Sequence, residues 1–341
     1  MTGREPPPGP GPAPTSGDAP RPGPRHGGGV DAAAARFGGA RRTWIDLSTG
    51  INPMPYPLAD VPDTAWHRLP DRAAETALTD AARAHWRVPA EADILPVPGL
   101  SAIISRLPAL VVPGAVAIPG PTYNEYAPAF AAAGWQVDEA DPDSGPRRNH
   151  DAAVVVHPNN PTGRFHPAPD PGLRLRVIDE SFCDLAPKRS HIALADTAGT
   201  LVLKGLGKFW GLAGLRLGFV IGDPVLVATL RDMVGPWAVS GPALDIGRAA
   251  LSDPGWAEVT RDRLHVGAAR LDKLAERGGL KRVGGTDLFR LYTTPDAHAL
   301  RDRLAADHRV WTRAFDWSAT HIRIGLPGTG QWSRVADALT A

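Results

Sequence analysis

The 341-residue sequence holds a single cysteine, Cys183, so no internal disulfide can form. It also has almost no net charge, 37 Lys and Arg against 36 Asp and Glu for a balance of +1. No long-range field therefore draws the chain to nucleic acid or an anionic membrane, and any anion selectivity must be local. Long hydrophobic runs are missing. The most apolar stretch, Leu107 to Ile118, is about twelve residues and contains Pro108 and Pro113, short of the roughly 20 needed to span a bilayer. The start lacks the apolar core of a secretory signal, which with the lone cysteine leads to the expectation of a cytoplasmic protein. No repeat of 20–50 residues is found.

Glycine and proline are abundant, 37 and 36 residues, about a fifth of the chain against a usual ~12%. Residues 1–24 hold nine of the prolines and five of the glycines with almost nothing apolar to bury, and are expected to form a disordered arm. The remainder, 43% hydrophobic over the whole chain, is long enough for one large or two moderate domains.

From Trp44 the sequence reads as a short strand and a turn-rich segment, then a helix from Asp71 to Trp86 with Leu78, Ala81, Ala82 and Trp86 at helical spacing. Short apolar strands are expected at 94–97, 116–119, 137–141, 152–157, 176–179, 200–203 and 217–221, with helices at 102–110 and 126–133. Strand, helix and strand in succession imply a parallel sheet, so 92–222 behaves as one α/β unit. After Gly241-Pro242 come amphipathic helices at 243–251 and 256–277, then strands near 288–292 and 322–324, the mark of a smaller α+β domain. The expected division is a 25–64 arm joining the small domain, a large domain over 65–240 and a small one over 241–341.

The chemistry centres on Leu203 to Gly218, LKGLGKFWGLAGLRLG. It is no phosphate loop, because Phe209 follows Lys208 and no glycine stands at 202, and its glycines miss the dinucleotide-binding spacing. What remains is a lysine in a glycine-rich turn after an apolar strand, with Arg216 eight residues on. A partly desolvated lysine can lose its proton and attack a carbonyl. Three more segments fit a site. His157-Pro158-Asn159-Asn160-Pro161-Thr162-Gly163 holds a side-chain amide between prolines. Asp179 ends the strand Val177-Ile178-Asp179, where α/β ligand sites lie. Pro98-Gly99-Leu100-Ser101 joins a strand to a helix, where free backbone N–H groups suit an anion. Taken singly, these are also a surface lysine, an ordinary turn, a helix cap and a common junction.

In this order the motifs resemble the class I/II aminotransferase superfamily of pyridoxal-phosphate enzymes, with the likeness running over roughly residues 26–341. The resemblance implies the fold type I architecture, a large α/β domain with a mainly parallel sheet plus a smaller α+β domain, and pyridoxal 5'-phosphate as cofactor. Lys208 would bind the cofactor covalently, Asp179 would pair with its ring nitrogen, and Asn160 would hydrogen-bond its phenolic oxygen. Tyr123 would stack on the ring. Arg216, Gly99 and the N–H groups of Leu100 and Ser101 would hold the phosphate. Arg323, in His321-Ile322-Arg323-Ile324-Gly325, would hold a substrate carboxylate. Lys204 is the rival for the covalent role, but at a strand end it is expected to be solvated. No metal site is expected.

Within the superfamily the chain is similar to the branch that decarboxylates L-threonine O-3-phosphate in cobalamin biosynthesis. The alternative is the histidinol-phosphate aminotransferase type. His26-Gly27-Gly28 ahead of Trp44-Ile45-Asp46-Leu47-Ser48-Thr49-Gly50-Ile51-Asn52-Pro53, Phe182 where the aminotransferase usually has Tyr, and Trp237–Leu244 with Ile324–Pro327 favour the decarboxylase. That branch implies a small phosphorylated amino acid as substrate, with His26 and Asn52 near its phosphate, and a homodimer. Gly205 departs from the serine usual three places before the lysine, His157 from an asparagine, and Leu69 from a tyrosine that in relatives reaches the neighbouring subunit's cofactor. Some regulators carry the fold as an effector-binding module, but only about 40 residues precede it here, without a helix-turn-helix pattern or basic patch.

Overall fold

The computed structural model describes residues 27–58, 60–139 and 150–341. The expected disordered arm, His26 and the end of the expected strand at 137–141 lie outside them.

A seven-stranded sheet organises the larger part. Its strands are β1 (Asp93–Val97), β2 (Ala115–Ala117), β3 (Gln136–Asp138), β4 (Ala152–Val156), β5 (Leu175–Asp179), β6 (Thr200–Gly205) and β7 (Gly218–Gly222), in the spatial order β1-β7-β6-β5-β4-β2-β3. Strands β4 and β5 are buried at every position. That explains the unbroken apolar run of β4, since a parallel strand covered on both faces has no polar side to show; β5 departs from it only at the buried Arg176 and Asp179. Successive residues feed opposite layers: Ile178 and Val202 point into one apolar cluster, Val177 and Leu201 into the other.

The expectation of a parallel sheet holds for β2 to β6 but not for β7, which pairs antiparallel with both β6 and β1. A parallel return usually needs a crossover helix. The connection from Gly205 to Gly218 contains only a short 3₁₀ turn, Ala213–Leu215. The expected helix at 102–110 is also different: one α-turn, Ser101–Ile104, then a 3₁₀ turn, Leu107–Ala109. Pro108 has no N–H to continue the ladder.

The helix Arg72–Trp86 starts where Asp71 accepts a 2.9 Å bond from the Ala74 N–H. The smaller part is an antiparallel sheet of β8 (Lys281–Thr286), β9 (Phe289–Thr293), β10 (Arg313–Phe315) and β11 (Ser318–Gly325), ordered β10-β11-β9-β8. Helices Pro254–Arg277, Ala297–His308 and Trp332–Thr340 accompany it. One apolar cluster runs from Val202 and Phe219 of the large sheet through Leu264 to Ile322 and Ile324 of the small one.

An extended amino-terminal segment ties the two parts. Ile45–Asp46 pairs with Val310–Trp311, and the Asn52 and Tyr56 N–H groups donate to the Lys208 and Trp210 carbonyls. Among the described residues no helix is long and apolar enough to cross a membrane.

Candidate active site

The carboxyl ends of β1, β4, β5 and β6 meet around a cavity of about 140 Å³ lined by Gly99, Ser101, Asp179, Gly205, Lys208 and Arg216. Beside it a wider chamber of about 570 Å³ reaches Arg313 and Arg323 on the small sheet. Ser101, Tyr123, Asn160, Phe182 and Lys208 line both, so the two spaces share a wall at the lysine. Parallel strands place ligand sites at this end because their loops diverge there.

Lys208 sits in the turn after β6 and has no carboxylate partner among the described residues. Burial pulls its pKa down to about 8, Arg323 and Arg216 push the same way, and Asp179 opposes them. Its ammonium lies over the Phe182 ring, 5.7 Å from the centroid. Phe182 in turn meets Phe289 edge-on at 5.1 Å, so this wall of the site is apolar.

Asp179, the last residue of β5, is buried. Its Oδ1 accepts from the Ser181 N–H at 2.9 Å and the Ser181 hydroxyl at 2.5 Å, and Oδ2 accepts from the Tyr126 hydroxyl at 2.6 Å. Among the described residues three donors and no cation satisfy the carboxylate, which still faces the cavity. Asn159 organises the neighbouring loop. Its amide donates to the Pro121 carbonyl at 2.9 Å and to the Thr162 hydroxyl at 2.8 Å, and accepts from the Thr122 hydroxyl at 2.6 Å. The adjacent Tyr123 and Asn160 are thereby held on one side of the cavity. Burial raises the Tyr123 pKa, while a hydrogen bond with Ser101 opposes that rise.

Arg216 approaches from the turn before β7. It donates to the Ala213 carbonyl at 3.1 Å and has no carboxylate partner among the described residues. Gly99, with φ +82°, makes room for it: a Cβ there would lie 2.5 Å from Arg216 Nη2.

Arg323 is buried in the chamber and donates to Asn160 Oδ1 and to the Ser48 carbonyl. Its Nε has no hydrogen-bond partner among the described residues. Burial and then the Arg313 charge lower its pKa to about 10, so it stays charged at neutral pH. Arg313 is its cross-strand partner and lines the same chamber. Sequence reasoning missed Arg313. The available signal was the hairpin spacing, which brings two arginines ten positions apart side by side.

The structure thus gathers Lys208, Asp179, Asn160, Tyr123, Gly99, Leu100, Ser101, Arg216 and Arg323 around the two connected spaces. It does not gather Asn52, expected near the substrate phosphate. Asn52 is buried, lines neither space, donates to the Phe209 carbonyl at 2.8 Å and accepts from the Met54 N–H at 3.0 Å. Its amide is spent bracing the turn that carries Lys208. His26 lies outside the described residues. Lys204 is not solvated as expected: it is 2% exposed and 2.5 Å from Glu180 Oε2, with Asp184 at 4.0 Å. Burial alone would lower its pKa, but Glu180 and Asp184 outweigh that and hold it above the ordinary value. Alternation along β6 turns Lys204 inward against the acidic residues that follow β5.

His157, Glu180 and Cys183 also lie close together, within metal-ligand reach of one another. Each of the first two is already engaged. The His157 ring bonds the Arg189 carbonyl at 2.7 Å and the His166 N–H at 3.1 Å, and Glu180 takes Lys204, Ser190 and the His191 N–H. This is a satisfied polar core.

A family model, "Aminotransferase class I and II", matches residues 44–339. A threonine-phosphate decarboxylase from Sinorhizobium sp is 43% identical over 92% of this chain and 97% of its own length. One from Pseudomonas aeruginosa is 37% identical over 92% and 96%. Among solved structures, histidinol-phosphate aminotransferase from Sinorhizobium meliloti, in complex with pyridoxal-5'-phosphate, superposes with a TM-score of 0.78 at 19% identity, covering 92% of this chain and 94% of that one. The L-threonine-O-3-phosphate decarboxylase from Porphyromonas gingivalis gives 0.70 at 18%, over 86% and 97%. The structural likenesses speak for the fold alone, while the sequence matches extend over nearly every element that builds the two spaces: the chain belongs to the class I and II aminotransferase family.

Proposed function

We infer that this chain is a pyridoxal-phosphate-dependent decarboxylase that converts L-threonine O-3-phosphate to (R)-1-aminopropan-2-yl phosphate and carbon dioxide, a reaction of cobalamin biosynthesis. The observation that carries this reading is its identity to curated threonine-phosphate decarboxylases over 92% of the chain. Histidinol-phosphate aminotransferases from Serratia proteamaculans and Mycobacterium bovis are 29% and 32% identical over 65% and 70% of the chain.

The residues fit the cofactor. A partly buried lysine with no carboxylate partner among the described residues, a clamped carboxylate, and an arginine cradled by Gly99 suit a carbonyl, a ring nitrogen and a phosphate in turn. When bound, the cofactor supplies the electron sink that accepts the pair left behind as the carboxylate departs.

The chain's own side chains do the rest. Asp179 holds a proton on the ring nitrogen, Asn160 donates to the phenolic oxygen, and Tyr123 covers one face. Arg216 and the N–H groups of Leu100 and Ser101 grip the phosphate. Arg323 orients the substrate carboxylate, and Arg313 beside it receives the substrate phosphate. A lysine with a pKa near 8 can carry a proton to or from Cα around neutral pH. Phe182 and Phe289 keep water from that transfer.

We read residues 65–240 as the cofactor-binding domain, 241–341 as the small domain and 25–64 as the arm joining it. The working form is a cytoplasmic homodimer. Exposed Trp66, Leu69 and Trp237, each more than 60% accessible, offer apolar surface for a second copy to cover.

Purified protein supplied with threonine phosphate should release carbon dioxide without any 2-oxo acid, and Lys208→Ala should abolish both the release and the yellow colour. Turnover only with glutamate and an imidazole-acetol phosphate would replace this reading with the aminotransferase.

A further inference from the structure

The Asp179 carboxylate is held by a donor that none of the site motifs contains. Tyr126 lies three residues beyond Tyr123, at the start of the helix Tyr126–Ala132, and is fully buried. Its hydroxyl is 2.6 Å from Asp179 Oδ2, the oxygen that Ser181 leaves free. Its ring meets Tyr123 edge-on at 6.1 Å. A single short segment therefore carries both the aromatic facing the cavity and the clamp on the acid within it.

Resting on the cofactor reading above, we propose that Tyr126 is a positioning residue that sets the direction and basicity of Asp179 toward the ring nitrogen. The chemistry follows from proton affinity. A carboxylate that accepts three hydrogen bonds is a weaker base than one that accepts two. A weaker base leaves the shared proton on the ring nitrogen, where the ring needs it to draw electrons. Burial, with the charge of Asp179 as the second cause, pushes the Tyr126 phenol well above its usual ionisation range. The hydroxyl therefore remains a donor at every working pH. The bond also fixes the carboxylate plane, because Ser181 and Tyr126 pull its two oxygens to opposite sides.

The test uses the full-length holoenzyme and three variants. Tyr126→Phe removes one oxygen and keeps the ring. Ser181→Ala removes a donor to the same carboxylate at its other oxygen. Phe130→Leu loosens the same buried helix one turn on without touching Asp179. Three quantities are read: the pH at which the bound cofactor's visible band changes, the cofactor dissociation constant, and kcat against KM. In Tyr126→Phe the band transition should move to higher pH, cofactor binding should weaken about tenfold, and kcat should fall about tenfold with KM within twofold. Ser181→Ala should move the band transition in the same direction, and Phe130→Leu should leave it in place.

If Tyr126→Phe leaves the band transition and kcat unchanged while the wild type binds cofactor normally, the proposal falls and the functional reading stands. Should Tyr126→Phe fail to fold, an unmoved transition in Ser181→Ala overturns the proposal. An equal shift in Phe130→Leu would reduce Tyr126 to packing and overturn it too. A wild type that binds no pyridoxal phosphate refutes the functional reading itself.

Discussion

Gly205 offers the sharpest quantitative test, because the site lacks a hydroxyl that its geometry can accommodate. It ends β6, three residues before Lys208, and lines the cavity shared with Ser101 and Arg216. A Cβ added there would meet Leu100 Cδ1 at 3.5 Å, Leu100 Cγ at 3.8 Å and the Leu217 carbonyl at 4.0 Å, all ordinary contacts. The Cβ of Gly205→Ser therefore needs no movement of backbone or neighbours. A hydroxyl donating to an anionic phosphate contributes about 1.5–3 kcal/mol. Ordering the serine side chain offsets roughly 0.5 kcal/mol of that. The net ~1–2.5 kcal/mol corresponds to cofactor binding some five- to seventyfold tighter. Titration of the apoenzyme with pyridoxal phosphate, followed by absorbance, measures it. Gly205→Ala is the control, since it shares the steric and backbone effects without the donor. Equal dissociation constants for the serine and alanine variants would refute the reasoning, and a weaker serine variant would show that the phosphate lies elsewhere.

The remaining predictions concern charge. Only the neutral amine of Lys208 attacks a carbonyl, so with a pKa near 8 roughly a tenth is reactive at pH 7. The rate of cofactor capture by apoenzyme, followed by stopped flow, should rise about tenfold per pH unit below 8 and level off above it. Arg313→Ala should raise KM for threonine phosphate by about a hundredfold or more while leaving cofactor affinity within twofold, as steady-state kinetics and the same titration would show. Glu180→Gln removes the negative charge 2.5 Å from the buried Lys204 ammonium and leaves it only Asp184, at 4.0 Å, as a charged partner. Unfolding followed by denaturant should show a loss of about 2–4 kcal/mol, the cost of a buried charge that is only partly compensated.

The central strands were legible because buried parallel strands are written as short, mostly apolar runs, as in Ala152–Val156 and in Val177-Ile178 of Leu175–Asp179. The direction of Gly218–Gly222 was not, because order along a chain does not state direction. The missing crossover helix between Gly205 and Gly218 was the signal to weigh. The residues around the two connected spaces were legible as motifs, each tied to a strand end or a turn. Lys204 was misread because its partners, Glu180 and Asp184, belong to the neighbouring strand's loop and are adjacent only once the sheet is formed. Arg313 was missed because its neighbour Arg323 comes beside it only through the hairpin register of the small sheet. Asn52 shows the reverse error: a polar residue in a site-like segment whose amide serves the backbone.

The amino-terminal segment has a consequence for the order in which the molecule assembles. Asn52 bonds a residue 157 positions away, and the Ser48 carbonyl receives Arg323 from 275 positions away. Closing such long loops is slow compared with forming helices and neighbouring strands. A chain leaving the ribosome makes this segment before the strands of either sheet, yet it can seat the segment only after both sheets exist. Competence for catalysis is therefore a late event in folding, and in refolding experiments the cofactor's colour should return after the helical signal has already recovered.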